Sequence, residues 1–275
     1  MIAGSARQDG SGGKTVLVLV PHPDDAEFHA GGTIARFVKE GARAVLVIAT
    51  DGCKGSFKHD RATLIRLRGE EALRAARRLG AEPPLMLGHS DMELDALPAG
   101  FLREQFIRQI RCHRPDILIA EDPLSRMAMH PDQRADAWAA VEAVAAAPLP
   151  LVHPEHLAEG LEPHYVAEKY YFLEEVASAN KIVDISATLE DKLAALAEHT
   201  TQVEFLVEDA IRQAQVAGVD LTALAGGSLV DPLQALRWAV RAQAGMFGEH
   251  AGFEYGEAFR YTRFHPMIEA LLENR

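Results

Sequence analysis

Two short strings bring histidine and acid together at spacings suited to catalysis: His22-Pro23-Asp24-Asp25 and His130-Pro131-Asp132-Gln133. His22 and Asp25 stand three residues apart, close enough to grip one metal ion from two sides, with Pro23 stiffening the turn. Imidazole nitrogen and carboxylate oxygen are a common zinc pairing, with bonds of about 2.0–2.2 Å. Asp24, between them, must point differently. A carboxylate held beside a metal without ligating it is placed to take a proton from water, whose pKa falls from about 15.7 to about 7 on zinc. The same two acids also suit a plain helix start, where the macrodipole favours negative charge. His130 again enters a helix. It can donate to a carbonyl oxygen and stabilise a developing oxyanion, or simply cap the alanine-rich helix behind it.

Both strings need a scaffold that presents them. Short continuous apolar runs at 15–20, 44–49, 84–87 and 116–120 alternate with helical stretches at 28–40, 62–79, 100–114 and 131–147. Such alternation predicts an α/β fold with a doubly wound, mostly parallel sheet covered on both faces. A further strand is expected at 166–173, with helices at 186–215 and 231–244, as a C-terminal extension of one domain. Residues 1–13 are small and polar, and read as a disordered tail. The glycines of Gly31-Gly32-Thr33 fall inside the first helix, where they permit close packing; a phosphate-binding loop needs a different pattern.

In open α/β sheets, ligands bind beyond the carboxyl ends of the strands. The four segments that follow the strands are PHPDDAE (21–27), TDGCKGS (50–56), GHSDMEL (88–94) and EDPLSRMAMHPDQRA (121–135), and each carries His, Asp or Glu. Asp51 and Asp91 are candidates for holding substrate hydroxyls, or for closing turns. Arg68 is a third candidate for substrate binding. Its i, i+3 spacing from Glu71 also fits a surface ion pair worth a few tenths of a kcal/mol.

The 275 residues carry 28 basic and 40 acidic side chains, a formal charge of −12, which disfavours nucleic acid and anionic lipid as partners. Two cysteines, Cys53 and Cys112, are too few for a disulfide scaffold, and no apolar run is long enough for a membrane span. A cytoplasmic protein is expected.

PHPDDAEFHAGGTIA resembles the signature of the LmbE/PIG-L family of zinc-dependent N-deacetylases. TDGCKGS, LRGEEALRAARRLGA, LGHSD, MHPDQRA, EPHYVAEKYYF, EHTTQV and YGEAFR extend the resemblance, in order, over most of residues 15–262. It implies a Rossmann-like fold, one zinc ion, removal of an acetyl group from an N-acetylglucosamine-type amino sugar, and often a trimer or hexamer. It also implies His22 and Asp25 as ligands, Asp24 as general base and His130 as the group polarising the amide carbonyl. One position departs. The family's second motif usually ends in a ligating histidine, where this chain has Gln133. Three outcomes stand open: Gln133 ligates a weaker site that leans toward manganese, another side chain replaces it, or the protein is a metal-free sugar-binding relative. His29, one helical turn past Asp25, is a candidate substitute, or packs against the sheet. An amidase acting on a thiol conjugate or antibiotic precursor is the rival activity. His164 is expected near the pocket, and Tyr255, Glu257 and Arg260 are placed to approach it.

Overall fold

Every residue of Thr15–Val20 (β1) is buried, as a strand covered on both faces requires. The computed structural model describes residues 13–125, 129–219, 231–264 and 266–273. The tail expected at 1–13 therefore lies, apart from Gly13, outside the described residues. After β1 come α1 (Asp25–Lys39), β2 (Arg43–Thr50), α2 (Arg61–Leu79), β3 (Leu85–His89), α3 (Phe101–His113), β4 (Ile117–Glu121) and α4 (Pro131–Ala146). They are followed by α5 (Pro154–Ala158), β5 (Glu168–Phe172), β6 (Lys181–Asp184), α6 (Leu189–Leu196), α7 (Thr200–Val216), α8 (Pro232–Glu249), β7 (Gly256–Thr262) and α9 (Pro266–Glu273).

Among the described residues, seven strands make one sheet in the order β3-β2-β1-β4-β5-β7-β6. The first five are parallel, and β7 runs antiparallel to both β5 and β6. Alternate side chains of β1 feed two cores. Val16, Val18 and Val20 join Ile34 of α1, Ala72 and Ala75 of α2 and Leu193 of α6. Leu17 and Leu19 join Phe106 and Ile110 of α3 and Ala140 and Ala143 of α4 on the other face. This is the doubly wound, Rossmann-like arrangement expected.

Several boundaries differ from the sequence reading. Helix α1 starts at Asp25 rather than 28, inside the first motif, because Asp24 takes the N-cap position. The long helix expected at 186–215 is broken at 197–199, and His199 becomes the N-cap of α7. The glycines of α1 do permit close packing: a Cβ on Gly32 would stand 2.7 Å from Cβ of Ile185, just past β6. Among the described residues no helix is long and apolar enough to cross a membrane.

Candidate active site

Strand β1 lies between β2 and β4, and the crossovers leaving β1 and β4 go to opposite faces of the sheet, which opens a crevice at their carboxyl ends. The loop after β1 carries His22 to Asp25 into α1, and the loop after β4 carries His130 and Asp132 into α4. Both motifs thus meet where two helix N-termini converge.

The His22 ring is held from both sides. Its Nδ1 stands 3.0 Å from Oδ2 of Asp25, which also accepts the His22 backbone N–H at 2.9 Å. Its Nε2 lies 3.2 Å from Oδ2 of Asp132 and 3.4 Å from Oδ1 of Asp91. Asp132 is wholly buried and accepts the backbone N–H groups of Met92 and Leu94 at 2.6 and 2.9 Å. The His130 ring sits edge-on to His22 with centroids 4.6 Å apart. Ligand atoms of His22, Asp91, His130 and Asp132 all lie within 4.8 Å of one another.

Asp24 has a backbone φ of 151°, a strained region for a residue with a side chain. Oδ1 of Asp24 accepts from Nη2 of Arg68 at 2.9 Å, and the same guanidinium donates to the carbonyls of Pro23 and Gly52 at 3.1 and 3.0 Å. Burial, which outweighs the opposing pull of Arg68, raises the Asp24 carboxyl to about 6. His199, 1% exposed, stands close enough to Asp24 to act on its charge, with its Nε2 3.5 Å from Oε2 of Glu27.

The field around His22 is strongly negative. Burial works to lower its pKa, but Asp25, Asp132 and Asp91 together lift it well above the ordinary histidine value. Burial likewise opposes ionisation of Asp91, yet hydrogen bonds from His22 and the Lys54 N–H hold it at about 2. His130 is held below the usual value by burial and by neighbouring His22, so its ring is neutral. Its Nδ1 accepts the Asp132 N–H at 3.2 Å, which leaves the proton on Nε2. The helix-capping and carbonyl-donating roles are therefore compatible, one on each ring nitrogen.

These residues fit a metal. An imidazole ligand characteristically donates its other ring N–H to a carboxylate, which fixes the tautomer. Nε2 of His22 stands where it would do this toward Asp132, which would leave Nδ1 and Asp25 to hold an ion, while His22, Asp91, His130 and Asp132 form a second set close enough together to hold one. Two atoms bound at 2.0–2.2 Å to a tetrahedral ion stand about 3.3–3.6 Å apart. The pair needs only a slight opening.

The family profile described as PIG-L, GlcNAc-PI de-N-acetylase, matches residues 17–144. The chain is 34% identical over 192 residues to diacetylchitobiose deacetylase of Thermococcus kodakarensis, an alignment covering 69% of this chain and 70% of that protein. It belongs to the PIG-L (LmbE-like) family. It is 27% identical over 231 residues to the 1D-myo-inositol 2-acetamido-2-deoxy-alpha-D-glucopyranoside deacetylase of Mycobacteroides abscessus, covering 69% of this chain and 82% of that one. In structure it is similar to the N,N'-diacetylchitobiose deacetylase of Pyrococcus horikoshii, with a TM-score of 0.74 and 29% identity, covering 91% of this chain and 84% of that one.

Several candidates take unexpected places in this PIG-L chain. Arg68 and Glu71 do not form a surface ion pair, since both are buried. Arg68 spends its guanidinium on Asp24 and two carbonyls, and Glu71 accepts from Thr200 and Thr201 at the start of α7. Arg68, at 3% exposure, presents little to a substrate. Asp51 uses Oδ1 on the N–H groups of Cys53 and Asp91. His29 stacks on Phe172, with centroids 4.6 Å apart and planes 2° from parallel, which is the packing alternative. His164 bonds the carbonyl of Pro115, ahead of β4 and so at the far end of the sheet from the crevice. Arg260 reaches Asp122, beside the crevice. Gln133 is half-buried on the first turn of α4.

Three residues went unnoticed in the sequence. Asp132 reads as a loop acid, although it orients His22. Glu121 ends β4, where burial and then Asp25 and Asp136 push its carboxyl to about 9. Asp136, fully buried on α4, is raised well above the ordinary value by burial and by Asp25. Position at a strand's carboxyl end was the available signal for Glu121, and the i+4 spacing from Asp132 was that for Asp136.

Proposed function

We propose that this protein is a metal-dependent hydrolase that removes the acetyl group from an N-acetylated amino sugar of the N-acetylglucosamine type. The observation that carries the reading is the division of labour in the first motif: Asp25 turns to His22, while strained Asp24 turns to Arg68. A zinc or manganese ion held by His22 and Asp25 would supply Lewis acidity toward the amide carbonyl and a lowered pKa for water.

The protein's own groups do the rest. Asp24, as carboxylate, accepts the proton of the attacking water, and Arg68 fixes its direction. A group poised near neutral pH can both take and return a proton. Asp24 then hands that proton to the departing amine nitrogen as the C–N bond breaks, releasing acetate and the free amino sugar. His130 donates from Nε2 to the oxygen that becomes negative when water adds to the carbonyl carbon. Asp132 keeps His22 in one tautomer. The small amino-sugar substrates named for the Thermococcus and Mycobacteroides relatives support the substrate class.

The test is acetate release from N-acetylglucosamine, diacetylchitobiose and N-acetylglucosaminyl conjugates, using chelator-treated protein with and without added zinc or manganese. The expected result is stoichiometric acetate and free amine, dependent on the cation. Absence of turnover across the panel with either ion, from folded protein, would defeat the reading.

A further inference from the structure

His199 opens α7 within the string EHTTQV, and its ring is buried at 1% exposure with no hydrogen bond to either nitrogen. A buried imidazole in that state is costly unless a charge pairs with it. The charge at hand is Glu27, itself 2% exposed, whose Oε2 lies 3.5 Å from Nε2 of His199. A carboxylate only accepts, so the imidazole proton sits on Nε2.

Glu27 belongs to the first turn of α1, where its backbone N–H donates to the carbonyl of Asp24 at 3.1 Å and that of Phe28 donates to the same oxygen at 3.0 Å. That carbonyl is a handle on the strained residue. With φ at 151°, Asp24 keeps its backbone only where the surroundings over-determine it. Arg68 supplies one restraint, through Oδ1 of Asp24 and the carbonyl of Pro23. The first turn of α1 supplies the other, and His199 grips that turn by its Glu27 side chain.

The residues after His199 explain why it stays in place. Oγ1 of Thr200 and the N–H and Oγ1 of Thr201 donate to Glu71 at 2.7, 2.9 and 2.7 Å, and Nε2 of Gln202 donates to the Gly55 carbonyl at 3.0 Å. Glu71 follows Arg68 by three residues, so one face of α2 reaches Asp24 with the first side chain and anchors the His199 segment with the second. Gly55 lies in the loop whose Gly52 carbonyl Arg68 also holds. Residues 199–202 are thus fastened to α1, to α2 and to the loop after β2, the three elements that fix Asp24.

We infer that His199 is a positioning residue of the site: paired with Glu27, it braces the first turn of α1 so that Asp24 keeps its strained backbone and its aim at the reacting water. The inference rests on the proposed deacetylation and deepens it, adding a residue that acts through Asp24.

The test compares wild type with His199→Ala, His199→Gln, Glu27→Gln and the double variant His199→Ala with Glu27→Gln, all as full chains. Crystal structures of metal-free wild type and His199→Ala need no turnover: in the variant Asp24 is expected to leave its positive φ, or its Oδ1 to part from Arg68. Acetate release from the substrate panel then gives kcat and KM, and calorimetry gives Zn²⁺ affinity. His199→Ala should lower kcat about 10–100-fold, as a displacement near 1 Å does, with KM and Zn²⁺ affinity within about threefold of wild type. His199→Gln, whose amide can donate to Glu27, should recover most of that loss. The double variant should fall no further than His199→Ala, since both changes act through one contact. An unchanged kcat in folded His199→Ala, a loss confined to KM or to Zn²⁺ affinity, or additive losses in the double variant would overturn the inference. If His199→Ala does not fold, Glu27→Gln carries the comparison, and an unchanged kcat there overturns it equally. Wild type that released no acetate from any substrate would defeat the deacetylase reading, whereas Asp24 unmoved between the two crystal structures would defeat the inference, so the two failures separate.

Discussion

Nη2 of Arg68 stands 2.9 Å from Oδ1 of Asp24 and 3.1 Å from the carbonyl of Pro23, so a single guanidinium nitrogen holds both the acid and the turn beneath it. Nη1 of the same group holds the carbonyl of Gly52 at 3.0 Å, and lysine has no second nitrogen with which to keep that bond as well. Arg68→Lys should lower kcat by about 10–100-fold while KM and metal content change little. A variant that lost KM alone would restore Arg68 to substrate binding.

Asp24→Asn keeps the size of the side chain and removes the proposed base. Loss of a general base costs about 10²–10⁴ in rate, and His22 and Asp25 remain in place, so metal content by elemental analysis should match wild type. Full activity in this variant would mean that another group takes the proton.

His130→Ala removes the Nε2 donor. A fall in kcat of about 10²–10³ is expected, the range for one oxyanion donor, with His22 still held by Asp132. The Asp132 N–H loses its acceptor, so a melting measurement should accompany the kinetics. An unchanged kcat would exclude a role for His130 at the carbonyl.

Glu121 makes the metal-free protein sensitive to alkali. Burial, aided by Asp25 and Asp136, raises its carboxyl from 4.5 to about 9, so the group is protonated in the fold at pH 7 and ionised when unfolded. The stability linked to it is complete below pH 4.5 and lost as pH rises through about 9. Denaturant titrations in chelator should show a decline of up to about 1.4 kcal/mol per pH unit within that window. Glu121→Gln should flatten the slope. An equal slope in wild type and variant would show that Glu121 is ionised in the fold.

Lys192 and Glu257 form a buried pair at 2.6 Å, with side chains 4% and 2% exposed. Lys192→Met leaves Glu257, among the described residues, with the N–H groups of Gly32 and Thr33 as hydrogen-bond donors. Breaking such a pair from one side costs about 3–5 kcal/mol, readable as a lower denaturant midpoint. A change below about 1 kcal/mol would show that the two N–H groups suffice.

Much of the parallel half was legible because each of its strands is a local run of apolar residues, and β1 and β4 lie side by side with their motifs at the same end. His22, Asp25 and His130 could be brought together for the same reason, since they lie in two short strings that neighbouring strands carry to one crevice. Arg68 could not be placed, because its partner Asp24 lies 44 residues away and helical spacing alone pointed to Glu71. Asp136 was hidden by its setting, a lone acid within an alanine-rich helix whose buried face carries little amphipathic signal. The antiparallel strands β6 and β7 gave no regular alternation with helices to betray them, and the break at 197–199 depends on Glu71 of another helix binding Thr200 and Thr201.

Glu257, on β7, takes the N–H groups of Gly32 and Thr33 in α1, so the far end of the polypeptide anchors the helix that begins at Asp25. The elements that follow α4 are consequently tied to the helix that opens in the first motif. A fragment ending after α4 would keep every side chain proposed above to hold the metal or move a proton and still lack the carboxylate that fixes α1, so the latter half of the sequence supports the candidate site without lending it one of those groups.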